Sequence, residues 1–135
     1  VDLVQDVEVA DGDQGSLAYL TNPKVKGKMS TTVKVASTDS IMILNDPWDR
    51  LYGYPLAITN HVPSNLTDGA GTSLSANIFG NFNDLLIGEW GVLDVLVDPY
   101  SLSTTGATRV TTFMDVDVAV RNAGSFSASQ DIVTT

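Results

Sequence analysis

The chain has 135 residues, and its 16 acidic against 7 basic side chains give a net charge of −9 at pH 7. This length indicates one domain or a piece of a larger protein, and 43% apolar residues suffice for a core without metals or cross-links. The acidic balance argues against binding to nucleic acids or anionic membranes, the absence of cysteine excludes disulfides and thiolate metal sites, and the single histidine, His61, excludes sites that need two imidazoles.

Asp greatly outnumbers Glu, and Ser, Thr and Val are abundant. Asp favours caps and turns, whereas Val and Thr favour strands, so the composition predicts an α+β protein with few helices. The most apolar window, residues 85–97, is too short to span a bilayer and contains Glu89 and Asp94. We therefore expect no membrane partner.

The first elements follow from local signals. In residues 1–10, Val1, Val4 and Val7 recur every third position, which predicts a short amphipathic helix that ends at Asp11-Gly12-Asp13. Residues 16–21 resemble a short strand. Asn22-Pro23 then predicts a second helix, with Asn as the N-cap and Pro at the first helical position.

Short strands are predicted over the middle of the chain, at residues 41–44, 54–59 and 74–79, with a polar loop at 60–73. Asn81 and Asp84 are spaced as in a capping box and predict a helical turn. Ile87 and residues 92–97 predict strands that are interrupted at Gly88 and Gly91.

Strict alternation marks residues 109–121. Apolar residues and Thr112 occupy the even positions, while Arg109, Asp115, Asp117 and Arg121 share the odd positions with uncharged residues. Period two over 13 residues predicts a strand of roughly 43 Å, about twice the usual length. Such a strand indicates an architectural role and contact with more than one layer or subunit.

Two charged groups are candidate contact residues. Lys24, Lys26, Lys28 and Lys34 form a local basic patch with no acid between positions 13 and 39, so they are either a solvated helix face or a docking site for an acidic patch on another copy. Asp115 and Asp117 share one strand face with Arg109 and Arg121. We favour ion pairs between strands or subunits there over acid–base chemistry or cation binding.

Four blocks of the sequence, in this order, resemble the major capsid proteins of tailed phages. They are YLTNPKVKGKM (19–29), YGYPLAITNHVP (52–63), NIFGNFNDLLIGEWGVLDVLVDPYS (77–101) and TRVTTFMDVDVAVRNAGSF (108–126). In the third block, the resemblance lies in the Phe-Gly-Asn-Phe segment at 79–82, Trp90, and Asp-Pro-Tyr at 98–100; the four blocks together carry it.

The resemblance implies the Hong Kong 97-type capsid fold: an axial domain with a mixed sheet and short flanking helices, plus one long C-terminal strand. It places the axial domain at 1–106 and a returning strand of the peripheral domain at 107–135. The family's N-terminal arm, extended loop and spine helix have no counterpart here. We therefore expect the long strand to lack its usual partners and to present an edge.

The resemblance further implies a non-enzymatic virion protein of a phage or prophage, without cofactors or metals. It would assemble in the host cytoplasm with its own copies, as hexamers and pentamers, into an icosahedral shell around DNA, together with portal and scaffold proteins. We expect Trp90 and strands 85–87 and 92–97 to build the axial core, and loops 60–73 and 98–106 to face neighbours.

Three alternatives stay open at this point. The first is an encapsulin-type shell, which shares the fold and encloses an enzyme. The second is a binding domain of a phage tail or cell surface, suggested by the strands rich in Ser and Thr. The third is a hydrolase that uses Asp115, Asp117 or His61, although no nucleophile motif accompanies these residues.

Overall fold

The computed structural model of the chain describes residues 2–37, 41–44 and 50–134. These residues form two compact units. The first unit comprises Val1–Asp84 and Asn122–Thr135, and the second comprises Leu85–Arg121. The second unit is therefore an excursion of the chain, which leaves the first unit after Asp84 and re-enters it at Asn122.

The first unit begins with helix α1 (Asp2–Val9), as its valine spacing predicts. Val4 and Val7 point into the core, whereas Val1 lies outside the described residues. The helix ends where Asp11 adopts a left-handed φ of 52°, and Gly12 N–H donates to the carbonyl of Val7 at 2.9 Å. The predicted helix and its end before Asp11-Gly12-Asp13 are confirmed, and its predicted first residue lies outside the described residues.

Helix α2 (Pro23–Thr31) confirms the Asn-Pro signal. The side-chain oxygen of Asn22 accepts a hydrogen bond from the backbone N–H of Val25 at 2.9 Å, which satisfies a donor that the helix itself cannot pair. The amide group of Asn22 donates to the carbonyl of Pro63 at 3.0 Å. This cap therefore also ties the start of α2 to the segment around residue 63.

A mixed sheet forms the rest of the first unit. Its strands are β1 (Leu17–Thr21), β2 (Arg50–Leu51), β3 (Tyr54–Ile58), β4 (Leu66–Asp68), β5 (Gly71–Asn81) and, after the excursion, β8 (Phe126–Val133). The order is β2-β3-β1-β5-β4, and β8 also pairs with β5. Only β1 and β3 are parallel; the other pairs are antiparallel. The α+β class with a mixed sheet is thus confirmed.

Aromatic side chains form the centre of this unit. Phe79 is completely buried, and its ring lies 4.6 Å from that of Tyr19 and 5.1 Å from that of Tyr54, measured between centroids. Val4 and Val7 of α1 belong to the same cluster. Burying each large apolar side chain contributes about 1.5–3 kcal/mol to folding, so this cluster stabilises the unit by several kcal/mol.

The second unit is a β-hairpin of strands β6 (Leu85–Asp98) and β7 (Arg109–Val120). Strand β7 confirms the long alternating strand, but residues 107–135 are not one strand, because β8 follows as a separate strand of the main sheet. Strand β6 pairs with β7 from Leu85–Val120 to Asp98–Arg109, and among the described residues the other edge of β7 is unpaired, as expected.

Three further sequence predictions need correction. Trp90 and strands 85–87 and 92–97 do not build the core: they form one continuous strand, and Trp90 is 60% exposed. Residues 41–44 make only an isolated bridge, from Met42 to Val33. The predicted loop at 60–73 contains strand β4 and the start of β5. Apolar and polar patterns at these positions do not reveal which segments find a pairing partner.

A buried polar network lies where the chain leaves the first unit and returns to it. Ser125 donates its hydroxyl hydrogen to Oδ2 of Asp84 at 2.5 Å, and both side chains are buried. Asn81 accepts from the N–H groups of Ser16 at 3.0 Å and Asn83 at 3.2 Å, and donates to the carbonyl of Gln14 at 2.7 Å. The helical turn predicted from Asn81 and Asp84 is confirmed at Phe82–Asp84.

Candidate interaction surface

The pairing register of the hairpin sorts its side chains onto two faces, because paired residues point to the same side of a sheet. We define the valine face by the apolar residues that share one side: Leu85, Ile87, Val95, Val97, Val110, Met114, Val116, Val118 and Val120. We define the mixed face by the residues of the other side that alternate with them: Leu86, Gly88, Trp90, Asp94, Leu96, Asp98, Arg109, Thr111, Phe113, Asp115, Asp117 and Ala119.

The valine face is mostly apolar and uncovered; Glu89, opposite Val116, and Thr112, opposite Val95, are its polar residues. Apart from Leu85, the apolar side chains that define this face are 46–65% exposed. Among the described residues, β6 and β7 pair only with each other. A long exposed apolar face on a two-stranded sheet is typical of a surface that another protein layer covers, since it would otherwise promote aggregation.

The mixed face carries charged side chains among apolar ones. Asp115 faces Trp90 across the strands, Asp117 faces Gly88, and Arg109 faces Asp98. The structure thus confirms that Arg109, Asp115 and Asp117 share a face of β7. Asp115 and Arg109 nevertheless lie six residues apart, or roughly 20 Å along the strand, so they are not paired with each other. Arg121 follows the end of β7.

A bulge interrupts the hairpin at Gly91. Between the pairs Trp90–Asp115 and Asp94–Phe113, strand β6 has three residues and β7 has one. Gly91 adopts a φ of +78°, which side chains strongly disfavour. Because β6 has two more residues than β7 here, an even number, the alternation of its side chains between the two faces continues unchanged past the bulge. The indole of Trp90 lies over Gly88, where a Cβ would approach the ring to 2.7 Å.

The turn after β6 is held by Asp98. Its carboxylate accepts hydrogen bonds from the hydroxyl of Ser101, from the N–H of Tyr100 at 2.8 Å and from the N–H of Ser101 at 3.2 Å. These bonds, led by the Ser101 hydroxyl, lower the pKa of Asp98 below its ordinary value. The carboxylate therefore stays charged, and the turn presents Tyr100 almost fully to solvent.

The lysines lie in the first unit. Lys24, Lys26 and Lys28 are on α2, and Lys34 follows it; Lys24, Lys28 and Lys34 are exposed, and Lys26 is half-buried. Helix α2 thus carries three of the four lysines of the predicted basic patch. The predicted Arg and Asp residues belong instead to the hairpin or its end.

The residues of the hydrolase alternative belong to different units, with His61 in the first unit and Asp115 and Asp117 in the hairpin. His61 is exposed, and its backbone N–H donates to the hydroxyl of Thr59 at 3.3 Å. Asp115 and Asp117 face an indole and a glycine rather than a nucleophile or a base. Over residues 2–37, 41–44 and 50–134, no cluster of three or more His or acidic side chains could hold a metal ion. No helix in the described part of the chain is long and apolar enough to cross a membrane.

Sequence reasoning missed two polar features of the first unit. Ser125 completes the network around Asp84 from 41 positions away, and Asn77 of β5 is a buried polar side chain that lines a cavity. The spacing of Asn81 and Asp84 signalled one end of the network. Nothing local to Ser125 or Asn77 distinguishes them from other polar strand residues.

Comparisons with known proteins agree with the architecture. The model of the phage capsid family matches residues 1–131. The major capsid protein of Halomonas phage phiHAP-1 is 26% identical over 133 residues, which is 98% of this chain but only 20% of that relative.

Two solved capsid structures of GTA particles, both computed with C5 symmetry, share the fold. The capsid of the empty particle superposes with a TM-score of 0.63 at 23% identity, over 98% of this chain and 44% of that one. The capsid of the native particle gives 0.64 at 21% identity, over 96% of this chain and 43% of that one.

The described residues thus combine a mixed sheet around an aromatic cluster with a long hairpin whose apolar side chains stay exposed. The chain belongs to the phage capsid family, and the predicted resemblance and capsid-type fold are confirmed. It spans about a fifth of the length of its curated relative and under half of the matched capsid chains. Its family is one of structural virion proteins.

Proposed function

We propose that this chain is part of a major capsid subunit of a tailed phage or prophage, and that the subunit assembles with its own copies, as hexamers and pentamers, into an icosahedral shell around DNA. The observation that carries the proposal is the uncovered valine face, on a chain of the phage capsid family. A shell needs many modest contacts repeated by symmetry rather than an active site, so we propose no enzymatic activity and no cofactor.

The division of the subunit into domains is part of this proposal. The sequence prediction placed the boundary of the axial domain at residue 106, whereas the compact units change at residues 84–85 and 121–122. We propose that the first unit is axial and that the hairpin, Leu85–Arg121, is the peripheral element. Its valine face would then pack against a further layer of the complete subunit or against a neighbour.

The charged residues are the proposed polar contacts between subunits. Lys24, Lys26 and Lys28 would meet acidic surface of a neighbouring copy, and Arg109, Asp115, Asp117 and Arg121 would form contacts along the hairpin. In a chain of net charge −9, the lysines of α2 are the local exception, and this favours their pairing with another copy. The same net charge supports the absence of sequence-specific nucleic-acid binding. Portal and scaffold proteins are further proposed partners, with assembly in the host cytoplasm.

The test is electron microscopy of the complete gene product with a Val110→Lys substitution on the valine face, where Val110 pairs with Val97, far from Glu89. We expect the wild type to form closed icosahedral particles and the variant to yield soluble subunits, because a buried, unpaired ammonium is costly in a protein interface. Thr111→Lys on the mixed face is the matched control and should assemble. Failure of the wild type to form shells would overturn the proposal, and DNA or a cargo enzyme inside purified shells distinguishes a phage from an encapsulin-type particle.

A further inference from the structure

The first unit contains a cavity of about 520 Å³ that no part of the proposed shell contacts uses. Its walls are largely apolar, with Leu3 from α1, Met29 from α2, and Ile43 and Leu51 from the segments that follow. A volume of this size, with apolar walls and a few polar groups, is typical of binding sites in proteins. The polar groups therefore indicate what kind of occupant would fit.

Asn77 provides an unmet hydrogen-bond acceptor in this cavity. Its side chain lines the cavity and is only 4% exposed, and its Oδ1 atom is buried without a hydrogen-bond partner. The hydroxyls of the two residues paired with it on the neighbouring strands have other partners. Thr21 donates to the carbonyl of Ala76 at 3.0 Å, and Ser129 donates to Asp131 at 2.6 Å. An occupant that brings an O–H or N–H donor would satisfy this buried oxygen.

Two further groups specify the rest of the occupant. Tyr19 is buried beside Phe79, and burial together with Tyr54 and Tyr52 raises its pKa to about 12, so its ring and neutral phenol form an uncharged wall. Lys34 is exposed and also lines the cavity, so it places a positive charge at the opening. The cavity therefore fits an apolar or aromatic group that carries a donor and has a negative charge beside it.

The turn after β6 presents this combination. Tyr100 has an aromatic ring and a phenolic donor, and it is 83% exposed. Two residues earlier, Asp98 carries a carboxylate that the backbone of the turn holds in place, and Pro99 restricts the chain between them. A preorganised turn loses little conformational entropy on binding.

We propose that the cavity of one subunit receives Tyr100 of a second copy, with the phenol donating to Oδ1 of Asn77 and Asp98 facing Lys34. This inference rests on the proposed self-association of the subunits and names one of its contacts. It assigns a function to the exposed Asp-Pro-Tyr turn and a ligand to an oxygen that the fold leaves unpaired.

The direct test is NMR titration of the isotope-labelled 135-residue chain with a synthetic peptide of residues 96–102. We expect the signals of Leu51 and of the Asn77 side-chain amide to shift on addition of the peptide. A peptide with Tyr100→Phe should bind about three- to tenfold more weakly, which is the usual cost of one lost hydrogen bond. A peptide with Tyr100→Ala should not bind. Because the changes are in the peptide, the chain remains folded throughout.

A charge exchange tests the second contact. Lys34→Glu should weaken binding of the wild-type peptide, and a peptide with Asp98→Lys should bind the variant better than the wild-type peptide does. The control peptide, residues 87–93, carries the exposed indole of Trp90 and should leave the cavity signals unchanged. Absence of shifts with the wild-type peptide, or equal binding of the Phe and Ala peptides, would overturn the proposal.

Dilution of the intact chain distinguishes binding of Tyr100 from a second copy from binding of the chain's own Tyr100. If Tyr100 comes from a second copy, the cavity signals should move toward those of the peptide-bound state as concentration rises. Signals that already match the bound state and do not depend on concentration would refute the second-copy assignment. Peptide binding does not require shells, so its failure is distinguishable from failure of the complete protein to assemble.

Discussion

The two units of this chain use similar strand-forming residues, but only one of them covers its apolar side chains. In the first unit, α1 packs on the sheet, and Phe79 is completely buried. In the hairpin, Phe113 and the valines of β7 remain about half exposed. The comparison shows that alternation specifies a strand and its faces, whereas burial depends on a second layer, which the described part of this chain supplies to only one unit.

The same substitution in each unit provides the strongest test of this difference in burial. Phe79→Ala should lower the free energy of unfolding by about 3–5 kcal/mol, because it opens a cavity between Tyr19 and Tyr54. Phe113→Ala should change it by less than about 0.5 kcal/mol. Urea denaturation followed by circular dichroism measures both. If Phe113→Ala were as destabilising as Phe79→Ala, the hairpin would be packed within the isolated chain.

Buried and exposed hydrogen bonds to carboxylates provide a second comparison. Ser125→Ala removes the hydroxyl that donates to buried Asp84, and we expect a loss of about 2 kcal/mol. The matched control is Ser127→Ala, which removes a similar bond to Asp6 at an exposed position and should cost less than about 0.5 kcal/mol. Thermal or urea unfolding would measure the difference, and equal effects would argue against a stabilising role of the buried network.

The pH dependence of stability should report the buried phenol of the first unit. The pKa of Tyr19 is raised from 10.0 to about 12, so the folded state holds its proton more tightly than the unfolded state. The stabilisation by the neutral phenol is complete below pH 10 and should be lost between pH 10 and 12, at about 1.4 kcal/mol per pH unit. Tyr19→Phe should remove this decline, whereas Tyr100→Phe, at an exposed position, should retain it. Urea titrations at pH 9, 10 and 11 measure the slopes, and identical slopes for wild type and Tyr19→Phe would contradict the expectation.

The smallest expected effect is that of salt on self-association. Copies with a charge of −9 repel one another, and raising the ionic strength from about 0.01 M to 0.15 M shortens the screening length from about 30 Å to 8 Å. The dissociation constant for self-association of the chain should therefore fall by a few-fold. Sedimentation velocity at both salt concentrations measures this change. Weaker association in the higher salt would show that attraction between opposite charges, rather than net repulsion, controls association.

The features that could be predicted from the sequence are those with local causes. The valine spacing of α1, the Asn22-Pro23 cap of α2 and the alternation of β7 each depend on neighbouring residues, and each was correct. The run from Leu85 to Val97 was wrongly predicted to build a core, because an apolar strand is equally consistent with the core of its own unit and with an interface. Hydrophobicity alone does not say which chain supplies the covering layer.

The candidate surface was predictable in part. Arg109, Asp115 and Asp117 share a face of β7, as period two requires. The register that sets them opposite Asp98, Trp90 and Gly88 depends on the two-residue bulge at Gly91, which no pairing pattern in the sequence specifies. The unpaired oxygen of Asn77 likewise depends on the other partners of Thr21 and Ser129, which donate to the carbonyl of Ala76 on β5 and to Asp131 on β8. Strand register and hydrogen-bond partners of this kind depend on residues that are distant in the sequence.

The 2.5 Å bond between Ser125 and Asp84 has a practical consequence for dissecting this protein. It joins the last residue before the excursion to one shortly after the chain returns, so the two cut ends would lie side by side if residues 85–121 were excised. A short glycine bridge could then close the gap without disturbing the aromatic cluster. We expect the chain without residues 85–121 to fold around the same aromatic cluster, and it would then be a small scaffold for hairpins of other capsids.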